Sequence, residues 1–420
     1  MKYCIYLCCE LLNIATMKKN QASKFRNEKF FGRKKELALA WEYLAEGYSL
    51  KLAAPRRIGK TFFAKEILRG AEEKGWGAIY ITLEKCIKSE GYKNEIAFIH
   101  QFISELKEER WYHKFARNLE EMKVSLDAAV GDLGKIGGEL DWKLQKPDIY
   151  RKLENILEKS ENAIIVLDEL TVFLDYLRKE EKDENGKKIE NLEDVKSFLH
   201  WLRSLREAPG SKIRWIFCSS ISIDSFIIKH GFSGTLNNVE PFKVGELRES
   251  EPMDFVKHLL GKAKRFPLTD ELIIYMLDKL GAYQIPYFIK ILFDNTYQLF
   301  RLHNREINHN LVDDAYREAI HNASYFSHWI ERLKDYGEDR AYAETILSKL
   351  AELKNGKKDK QLFVFIFKEN EDKRFKQIGQ RLEDEGYIII NDGTWSFRSP
   401  FLREFWAKET KVMKVNKKAK

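Results

Sequence analysis

The residues best suited to chemistry lie in one short segment, Ala54–Thr61, which reads Ala-Pro-Arg-Arg-Ile-Gly-Lys-Thr. It follows the pattern G-x-x-x-x-G-K-S/T of a phosphate-binding loop, except that Ala54 replaces the first glycine. In such a loop, backbone N–H groups at the start of a helix bind phosphate oxygens and the lysine reaches the terminal phosphates. We therefore predict that Lys60 binds nucleotide phosphates and that the Thr61 hydroxyl ligates Mg²⁺.

The flanking sequence supports this interpretation, because the loop lies between a predicted strand and a predicted helix. Leu50 and Leu52 indicate a buried strand before the loop, and Phe63, Ile67 and Leu68 recur at helical spacing after it. Isolated matches to the pattern also arise by chance in turns, so this context favours a nucleotide site. The predicted nucleotide contacts in the segment are Ala54, Pro55, Arg56, Arg57, Ile58, Gly59, Lys60, Thr61 and Phe62.

Two acidic residues follow an apolar run about a hundred residues later. The run 163–167 is typical of a strand buried on both faces of a parallel sheet, and it ends at Asp168 and Glu169. Carboxylates at the carboxyl end of such a strand lie where open α/β sheets bind ligands. We predict that Asp168 holds Mg²⁺ and that Glu169 orients or deprotonates the attacking water. The alternative is a strand that ends in a solvated acidic turn.

A further predicted strand, 212–218, ends at Ser219 and Ser220. A hydroxyl at this place contacts the terminal phosphate or the attacking water, although serines also simply end strands. Both interpretations stay open. The candidate catalytic residues are Lys60, Asp168, Glu169, Ser219 and Ser220.

Composition is typical of a soluble protein with two or three domains, since the chain has 420 residues. The net charge of +8 comes from 73 basic and 65 acidic residues, a balance that does not by itself indicate nucleic-acid binding. Cys86 and Cys218 lack metal-ligand spacing, and the five scattered cysteines of the chain suggest a reducing cytoplasm. No run of residues is long and apolar enough for a membrane span.

The two ends of the chain differ from the rest. Residues 1–29 are expected to be a partly disordered extension, and the apolar segment of residues 1–16 suits an upstream start codon or a disordered extension better than a signal peptide. Residues 409–420 form a basic tail, which we expect to be disordered and to contact DNA, RNA or only water.

The pattern of elements predicts an α/β fold with a parallel sheet and helices on both faces. Gly131–Gly138 is glycine-rich but follows no strand, so we predict a hairpin or an irregular insertion there. Residues 178–190 read as a solvated insertion. The chain becomes helical from about residue 268. From residue 341 a helix, an apolar stretch and a basic helix precede two strands joined at Asp392-Gly393, a hairpin turn signal.

Three helices followed by a β-hairpin describe a winged helix-turn-helix. Its recognition helix would present residue types that contact phosphates or base edges of DNA. The alternative is a solvated helix face in a protein-interaction or regulatory domain, and acidic Glu383–Glu385 would repel a duplex. The candidate DNA contacts are Lys373, Arg374, Lys376, Gln377, Gln380 and Arg381.

Several segments together resemble the prokaryotic AAA+/STAND-type P-loop ATPases of the archaeal-ATPase kind, over about residues 30 to 408. The segments are FFGRKKEL, AAPRRIGKT, IIVLDEL, GAYQIPY and DEGYIIINDGTWSFRSPFLREFW. The resemblance implies an AAA-type core over 30–262, a helical lid over 263–330 and a winged helix over 331–408.

The resemblance also implies roles for further residues. Phe31, Gly32 and Arg33 would lie near the adenine, and Pro286 would pack against the base or the ribose. Ser219 or Ser220 would occupy the sensor position. Residues 230–240 contain no arginine where such families commonly place an arginine finger, and Arg248 is a substitute candidate. Without an arginine finger, which contributes about 10³ to 10⁵ in rate, turnover is expected to be slow.

The function predicted from the sequence is an ATPase that binds ATP and Mg²⁺ and acts as a regulatory switch. ATP or ADP would control the arrangement of lid and winged helix, with a protein partner or a second copy of the chain as the recipient. The alternative is a DNA-binding protein in which ATP is a structural assembly cofactor. A kinase acting on a small substrate has less support, because no acceptor-binding signature is visible.

Overall fold

The structure is a computed structural model that describes most of the chain. The described residues are 24–25, 30–87, 94–109, 115, 117–124, 138–178, 181–182, 188–190, 192–219, 223–263, 265–353, 355–367 and 371–418. Most of the predicted N-terminal extension, the greater part of the glycine-rich segment before Gly138, and Ser220 lie outside these ranges.

Within the described ranges, ten strands form three sheets. They are β1 (Ser49–Ala53), β2 (Gly77–Thr82), β3 (Ala163–Asp168), β4 (Glu181–Lys182), β5 (Lys188–Ile189), β6 (Ile213–Ser219), β7 (Val239–Lys243), β8 (Lys357–Lys358), β9 (Ile388–Asn391) and β10 (Thr394–Phe397). The largest sheet is parallel and has the order β2-β3-β6-β1-β7. Strand β1 pairs with β7 from Ser49 opposite Val239 to Ala53 opposite Lys243. The predicted α/β fold with a parallel sheet is therefore confirmed.

Helices connect and follow these strands. They are α1 (Lys34–Glu46), α2 (Lys60–Glu73), α3 (Leu83–Ile87), α4 (Asn94–Lys107), α5 (Gly138–Glu158), α6 (Leu170–Leu177), α7 (Leu192–Glu207), α8 (Ile223–Lys229), α9 (Glu251–Leu260), α10 (Asp270–Lys279), α11 (Pro286–His303), α12 (His309–His321), α13 (Ser327–Arg332), α14 (Arg340–Ala351), α15 (Asp359–Ile366), α16 (Asp372–Asp384) and α17 (Pro400–Lys418). Short 3-10 helices cover Ser233–Leu236, Ala323–Tyr325 and Leu333–Asp339. Among the described residues, no helix is both long and apolar enough to cross a membrane.

The chain divides into two compact units. The first comprises the described residues within Met1–Phe30, Thr61–Leu167 and Trp201–Ile216. Its core is rich in aromatic rings: Tyr150 stacks on Trp201 at 4.2 Å between centroids, and Phe102 packs against Trp215 at 6.2 Å. Such ring pairs contribute more stability than their buried area alone.

The second unit comprises the described residues within Phe31–Lys60, Asp168–His200 and Phe217–Lys420. It contains an aromatic core in which Phe326 stacks on Phe405 at 4.3 Å and Phe288 stacks on Trp329 at 5.4 Å. This core joins helices α11, α13 and α17. The domain boundaries predicted from the sequence stay predictions.

The C-terminal region of the second unit contains the small antiparallel sheet β8-β10-β9. Strands β9 and β10 are joined by Asp392 and Gly393, whose φ angles of 46° and 68° lie in the left-handed region that this turn requires. Trp395 of β10 stacks on Phe375 of α16 at 4.4 Å. A side-chain carbon at Gly379 would lie 2.1 Å from Trp395, so only glycine fits there.

The structure corrects three local predictions. Residues 140–144 alternate apolar and polar, a pattern that supported the predicted hairpin or irregular insertion at Gly131–Gly138, yet they belong to helix α5. The basic tail 409–420 was expected to be disordered, but α17 continues through it to Lys418. Glu385, one of the three acidic residues expected to repel a duplex, is buried. In the last case a long-range contact decides the outcome, which local charge cannot reveal.

Candidate nucleotide-binding site

The predicted phosphate loop connects β1 to α2, and the helix begins at Lys60 as predicted. Gly59 has a φ of 103°, which L side chains rarely adopt, and a side-chain carbon there would lie 3.0 Å from Nη1 of Arg33. The loop therefore requires glycine at this place. Thr61 and Phe62 follow as the second and third residues of α2, and the Phe62 ring is partly exposed.

Lys60 is the charged centre of the loop. Its side chain is 7 % exposed, and Nζ donates hydrogen bonds to the carbonyl of Ala54 and, at 3.0 Å, to that of Pro55. Burial lowers the pKa of Lys60 to about 8, while the carboxylates of Glu169 and Asp168 act in the opposite direction. The structure thus brings Lys60 close to both acidic residues that follow the apolar strand.

Asp168 and Glu169 stand at the carboxyl end of β3, whose six side chains are all buried. Oδ1 of Asp168 accepts a hydrogen bond from the backbone N–H of Glu169 at 3.0 Å. Glu169 has a φ of 61°, in the left-handed region, and precedes the first residue of α6. This conformation costs a non-glycine residue about 1–2 kcal/mol, and such strain is typical of functional sites.

Ser219 ends β6 as predicted and is buried. Its Oγ accepts a hydrogen bond from the backbone N–H of Thr171 at 3.3 Å. The hydroxyl therefore ties the end of β6 to the first turn of α6, which begins directly after Glu169. Ser220 lies outside the described residues, so the choice between these two serines stays a prediction.

The segment Phe31–Arg33 lies against the loop through Arg33. Nη2 of Arg33 donates hydrogen bonds to the carbonyls of Ile58 at 2.6 Å and Gly245 at 2.9 Å, and its backbone N–H donates to Glu251. This placement gives Arg33 a structural role in shaping the loop from its buried side. The predicted contact of Arg33 with the adenine stays a prediction.

The neighbours of Arg33 are packed by α9. Phe31 contacts the rings of Phe255 and His258 at 5.3 Å and 5.4 Å. Gly32 has a φ of 68°, and a side-chain carbon there would lie 3.0 Å from Oε1 of Glu251. Both residues stay candidates for the adenine contact.

Pro286 is the first residue of α11, where the missing N–H of proline has no cost. The next residue, Tyr287, makes a contact with the phosphate loop that was not predicted from the sequence. The guanidinium of Arg57 lies over the ring of Tyr287 at 4.9 Å, and the Tyr287 hydroxyl donates to the carbonyl of Tyr325 at 2.8 Å. The phosphate loop thus touches α11 directly, and the predicted ribose or base contact of Pro286 is not tested by this geometry.

A second contact joins the loop to the turn after α16. Gly386 has a φ of 84°, and a side-chain carbon there would lie 2.5 Å from Cβ and 2.9 Å from Cγ of Pro55. The backbone after α16 therefore packs directly against the phosphate loop.

Gly386→Ala is expected to destabilise the protein more than a glycine replacement without a neighbour. Gly231 is the matched control, since its φ is 77° and nothing lies within 4 Å of an added carbon. Backbone strain alone costs about 1–2 kcal/mol in both variants. The clash with Pro55 adds about 1–3 kcal/mol in Gly386→Ala. Urea unfolding of both variants checks this, and equal losses of unfolding free energy would contradict the packing.

The residue before Gly386 belongs to a buried group of charges. Glu385 is 3 % exposed and contacts Arg381 Nε at 3.1 Å, the Tyr336 hydroxyl at 3.3 Å and Arg332 Nε at 3.6 Å. Burial raises the pKa of Glu385. The charge of Arg56 from the phosphate loop also acts within this group, since Arg332 and Glu385 are among the charges that shift its pKa. We call Arg56, Arg332, Tyr336, Arg381 and Glu385 the Glu385 cluster.

His328 lies beside the loop arginines and is buried against Trp329, with ring centroids 3.9 Å apart. Burial, followed by the charges of Arg57 and Arg56, lowers the pKa of His328 from 6.5 to about 3. The unfolded chain therefore takes up this proton at a higher pH than the folded protein does. Folding becomes less favourable as the pH falls below the ordinary histidine pKa.

The acid sensitivity gives a measurable prediction. Between pH 7 and pH 5, His328 is expected to lower the free energy of unfolding by about 2 kcal/mol. The variant His328→Asn has no such group and should lose correspondingly less stability over the same interval. Urea unfolding of both proteins at the two pH values makes the comparison, and parallel losses would show that His328 does not titrate as described.

The predicted recognition helix is α16, and its six candidate residues divide into two groups. Arg374 pairs with Asp339 and lies over the Tyr342 ring at 4.4 Å, while Arg381 is held in the Glu385 cluster. Gln380 donates to Asp384 at 2.9 Å. The remaining three, Lys373, Lys376 and Gln377, are exposed on one side of the helix. The two arginines thus have partners within the protein, which the sequence did not reveal.

The residues of the loop fit a magnesium–polyphosphate ligand. Helix α2 has 14 residues and directs its first unpaired N–H groups toward the loop, and the required Gly59 keeps the backbone accessible. Lys60 supplies a buried positive charge, and the Asp168 carboxylate close to it is a ligand type that Mg²⁺ prefers.

Comparison with known proteins supports the fold. No model of a protein family matches the sequence, and no curated protein sequence matches it significantly. The structure is similar to the Walker-type ATPase PABY2304 of Pyrococcus abyssi, with a TM-score of 0.59, 16% identity, and coverage of 93% of this chain and 99% of that one. It also matches the ORC2 protein of Aeropyrum pernix in its ADPNP–ADP complexes, with a TM-score of 0.46, 14% identity, and coverage of 95% and 99%.

A third solved structure is the ORC1 protein of Aeropyrum pernix in complex with DNA, with a TM-score of 0.40, 14% identity, and coverage of 92% and 94%. Identities this low show similarity of fold and nothing finer. The chain therefore has the fold of an archaeal Walker-type ATPase, and the predicted fold class is confirmed.

Proposed function

We propose that this protein is a P-loop ATPase that binds ATP with Mg²⁺ and hydrolyses it slowly. The observation that supports this best is the position of Lys60, buried at the start of α2 within electrostatic reach of Asp168 and Glu169. These three residue types, on a glycine-containing loop and at the end of a buried parallel strand, are what phosphoryl transfer to water requires.

Each residue of the site has a role in this proposal. Lys60 and the first N–H groups of α2 bind the phosphates, while Thr61 and Asp168 hold Mg²⁺, which neutralises charge on the phosphate oxygens. Glu169 orients the attacking water and accepts its proton. Its left-handed backbone is stabilised by the hydrogen bond to Asp168, which fixes where the carboxylate begins. Ser219 holds the first turn of α6 in place.

We further propose that the nucleotide regulates the arrangement of the C-terminal elements, as in AAA+/STAND-type ATPases. The order of α14, α15, α16 and the β9–β10 hairpin is that of a winged helix, and α10 to α12 would form the lid. Contacts of the loop with Tyr287 and Gly386 support this idea, because a ligand that reshapes the loop must act on both. A ligand shifts such an equilibrium only through different affinity for the two arrangements.

Limited proteolysis tests the regulatory role. The segment between α12 and α14 joins the proposed lid and winged helix, so its cleavage rate should differ between the ATP-bound and ADP-bound protein. Lys60→Ala is the control, because its cleavage pattern should not respond to either nucleotide. Identical patterns with ATP and ADP in the wild-type protein would rule out the switch while leaving the ATPase intact.

The exposed side of α16 favours a second candidate function, a DNA-binding protein with ATP as a structural assembly cofactor. Lys373 and Lys376 are exposed there, and exposed lysines contribute to salt-dependent phosphate binding. Replacing both by alanine should weaken DNA binding and reduce its dependence on salt. Lys229 and Lys243 are exposed elsewhere and provide a control variant with the same change of charge. Equal DNA affinity of the two double variants would remove this candidate.

A further inference from the structure

Four buried nitrogen atoms near the phosphate loop have no hydrogen-bond partner among the described residues. They are Nε of Arg56, Nε and Nη2 of Arg332, and Nε2 of His328. Arg332 is 5 % exposed, and its remaining nitrogen, Nη1, donates to Asp335 at 2.9 Å. Buried polar atoms are nearly always hydrogen-bonded in proteins, so a group of unsatisfied ones in one place requires an explanation. Nε of Arg332 has the Glu385 carboxylate at 3.6 Å, which is an ion pair but beyond hydrogen-bond distance.

Contacts of neighbouring residues place the three residues near one another. Arg56 follows Pro55, which packs against Gly386, and the neighbouring Glu385 lies 3.6 Å from Nε of Arg332. His328 and Arg332 are separated by four residues in α13 and therefore share one face of that helix. All of these residues belong to the same compact unit.

The charges around this place favour an anion. Two arginines of the Glu385 cluster, Arg381 and Arg332, contact the carboxylate of Glu385, and the charge of Arg56 acts on the same group. Asp335, the other acidic partner of Arg332, is 54% exposed. Guanidinium groups prefer planar or tetrahedral oxyanions, to which they donate two parallel hydrogen bonds. A phosphate group has several acceptor oxygens and would satisfy donors that converge from different directions.

We propose that Arg56, His328 and Arg332 form a binding site for a phosphate group. The proposal rests on the proposed function in one respect, because Arg56 lies four residues before Lys60 in the phosphate loop. The phosphate would then be the terminal phosphate of the nucleotide. A free phosphate ion is the other source of the same chemistry. In the first case the site distinguishes ATP from ADP and connects the terminal phosphate to α13, which precedes the C-terminal helices.

Calorimetric titration of the full chain with ATP, ADP and inorganic phosphate tests the site through binding alone. Arg332→Gln should lower the affinity for ATP about tenfold or more, since charge-assisted hydrogen bonds are lost, while the affinity for ADP changes little. Arg332→Lys keeps the charge and should restore some of the loss. Arg340→Gln removes an arginine that pairs with Glu344 outside the cluster and serves as the matched control.

The outcomes distinguish the two sources of the phosphate group. They also distinguish failure of this phosphate site from failure of the proposed ATPase function. Selective loss of ATP affinity assigns the site to the terminal phosphate, whereas loss of inorganic phosphate binding with an unchanged ATP to ADP ratio assigns it to a free ion. If Arg332→Gln alters none of these affinities, or lowers those for ATP and ADP equally while inorganic phosphate binds as in the wild-type protein, the site does not exist. If the wild-type protein binds phosphate but neither nucleotide, only the proposed function fails. If the Arg332→Gln variant does not fold, the same affinities are compared in Arg56→Gln and His328→Asn.

Discussion

Lys60→Ala is expected to lower the affinity for ATP and ADP by a factor on the order of 100 or more, because a buried ammonium group and its charge-assisted hydrogen bonds are removed. The side chain lies at the first position of α2, where the charges of Glu169 and Asp168 act on it. Equilibrium binding of a fluorescent nucleotide analogue measures the loss.

Lys65→Ala provides the control for this variant. Lys65 belongs to the same helix and lies over the ring of Tyr80 at 4.9 Å, within the first compact unit. The Lys65→Ala variant should bind nucleotide with the affinity of the wild-type protein. An unchanged affinity in Lys60→Ala, or equal losses in both variants, would show that the loop is not the phosphate site.

The second large effect concerns hydrolysis without loss of binding. Glu169→Gln keeps the shape of the side chain but removes the base, so the hydrolysis rate is expected to fall about 10²- to 10⁴-fold. Nucleotide affinity should be unchanged or higher, because a negative charge beside the phosphates is removed. Single-turnover release of phosphate and equilibrium binding measure the two quantities separately.

Glu193→Gln serves as the control, since the Glu193 side chain is 87% exposed and lies outside the site. Its hydrolysis rate should match that of the wild-type protein. If Glu169→Gln hydrolyses ATP at the wild-type rate, Glu169 is not the base. If affinity and rate fall together, the residue acts on binding and the proposed division of roles is wrong.

The sequence alone located those parts of the candidate site whose structure depends on local sequence patterns. Gly59 and Lys60 mark a strand-to-helix turn, and the structure starts α2 at Lys60 as expected. The apolar run before Asp168 predicted a buried strand because both faces of a parallel strand are covered. All six side chains of β3 are indeed buried. The roles of these residues stay predictions, although the geometry brings them together.

The features that sequence did not locate depend on contacts between distant segments. Arg33 binds the carbonyl of Ile58, and Glu385 is buried among arginines from α13 and α16. No periodicity marks such residues, because burial of a charge is decided by partners far away in the chain. The sequence did contain one signal, Gly386, since a glycine directly after an acidic helix end is typical of a helix C-terminus. Its φ of 84° in the structure agrees with that.

Local sequence patterns also gave wrong secondary-structure predictions at two places. Residues 140–144 alternate like a strand over too short a window, and the longer helical sequence around them determines α5. The lysines after residue 408 suggested a solvated tail, but α17 already begins at Pro400 and extends through them. Two signals favour a helix there. One is the proline at its start, and the other is the helical spacing of three apolar residues that are buried in the structure, Phe401, Phe405 and Trp406.

The most direct test of the account is a calorimetric titration of the wild-type protein with ATP in the presence of Mg²⁺. Binding at one site per chain, which disappears in Lys60→Ala, is the predicted result. The absence of any binding heat over a wide range of temperature and nucleotide concentration would contradict the claim that this loop binds a nucleotide.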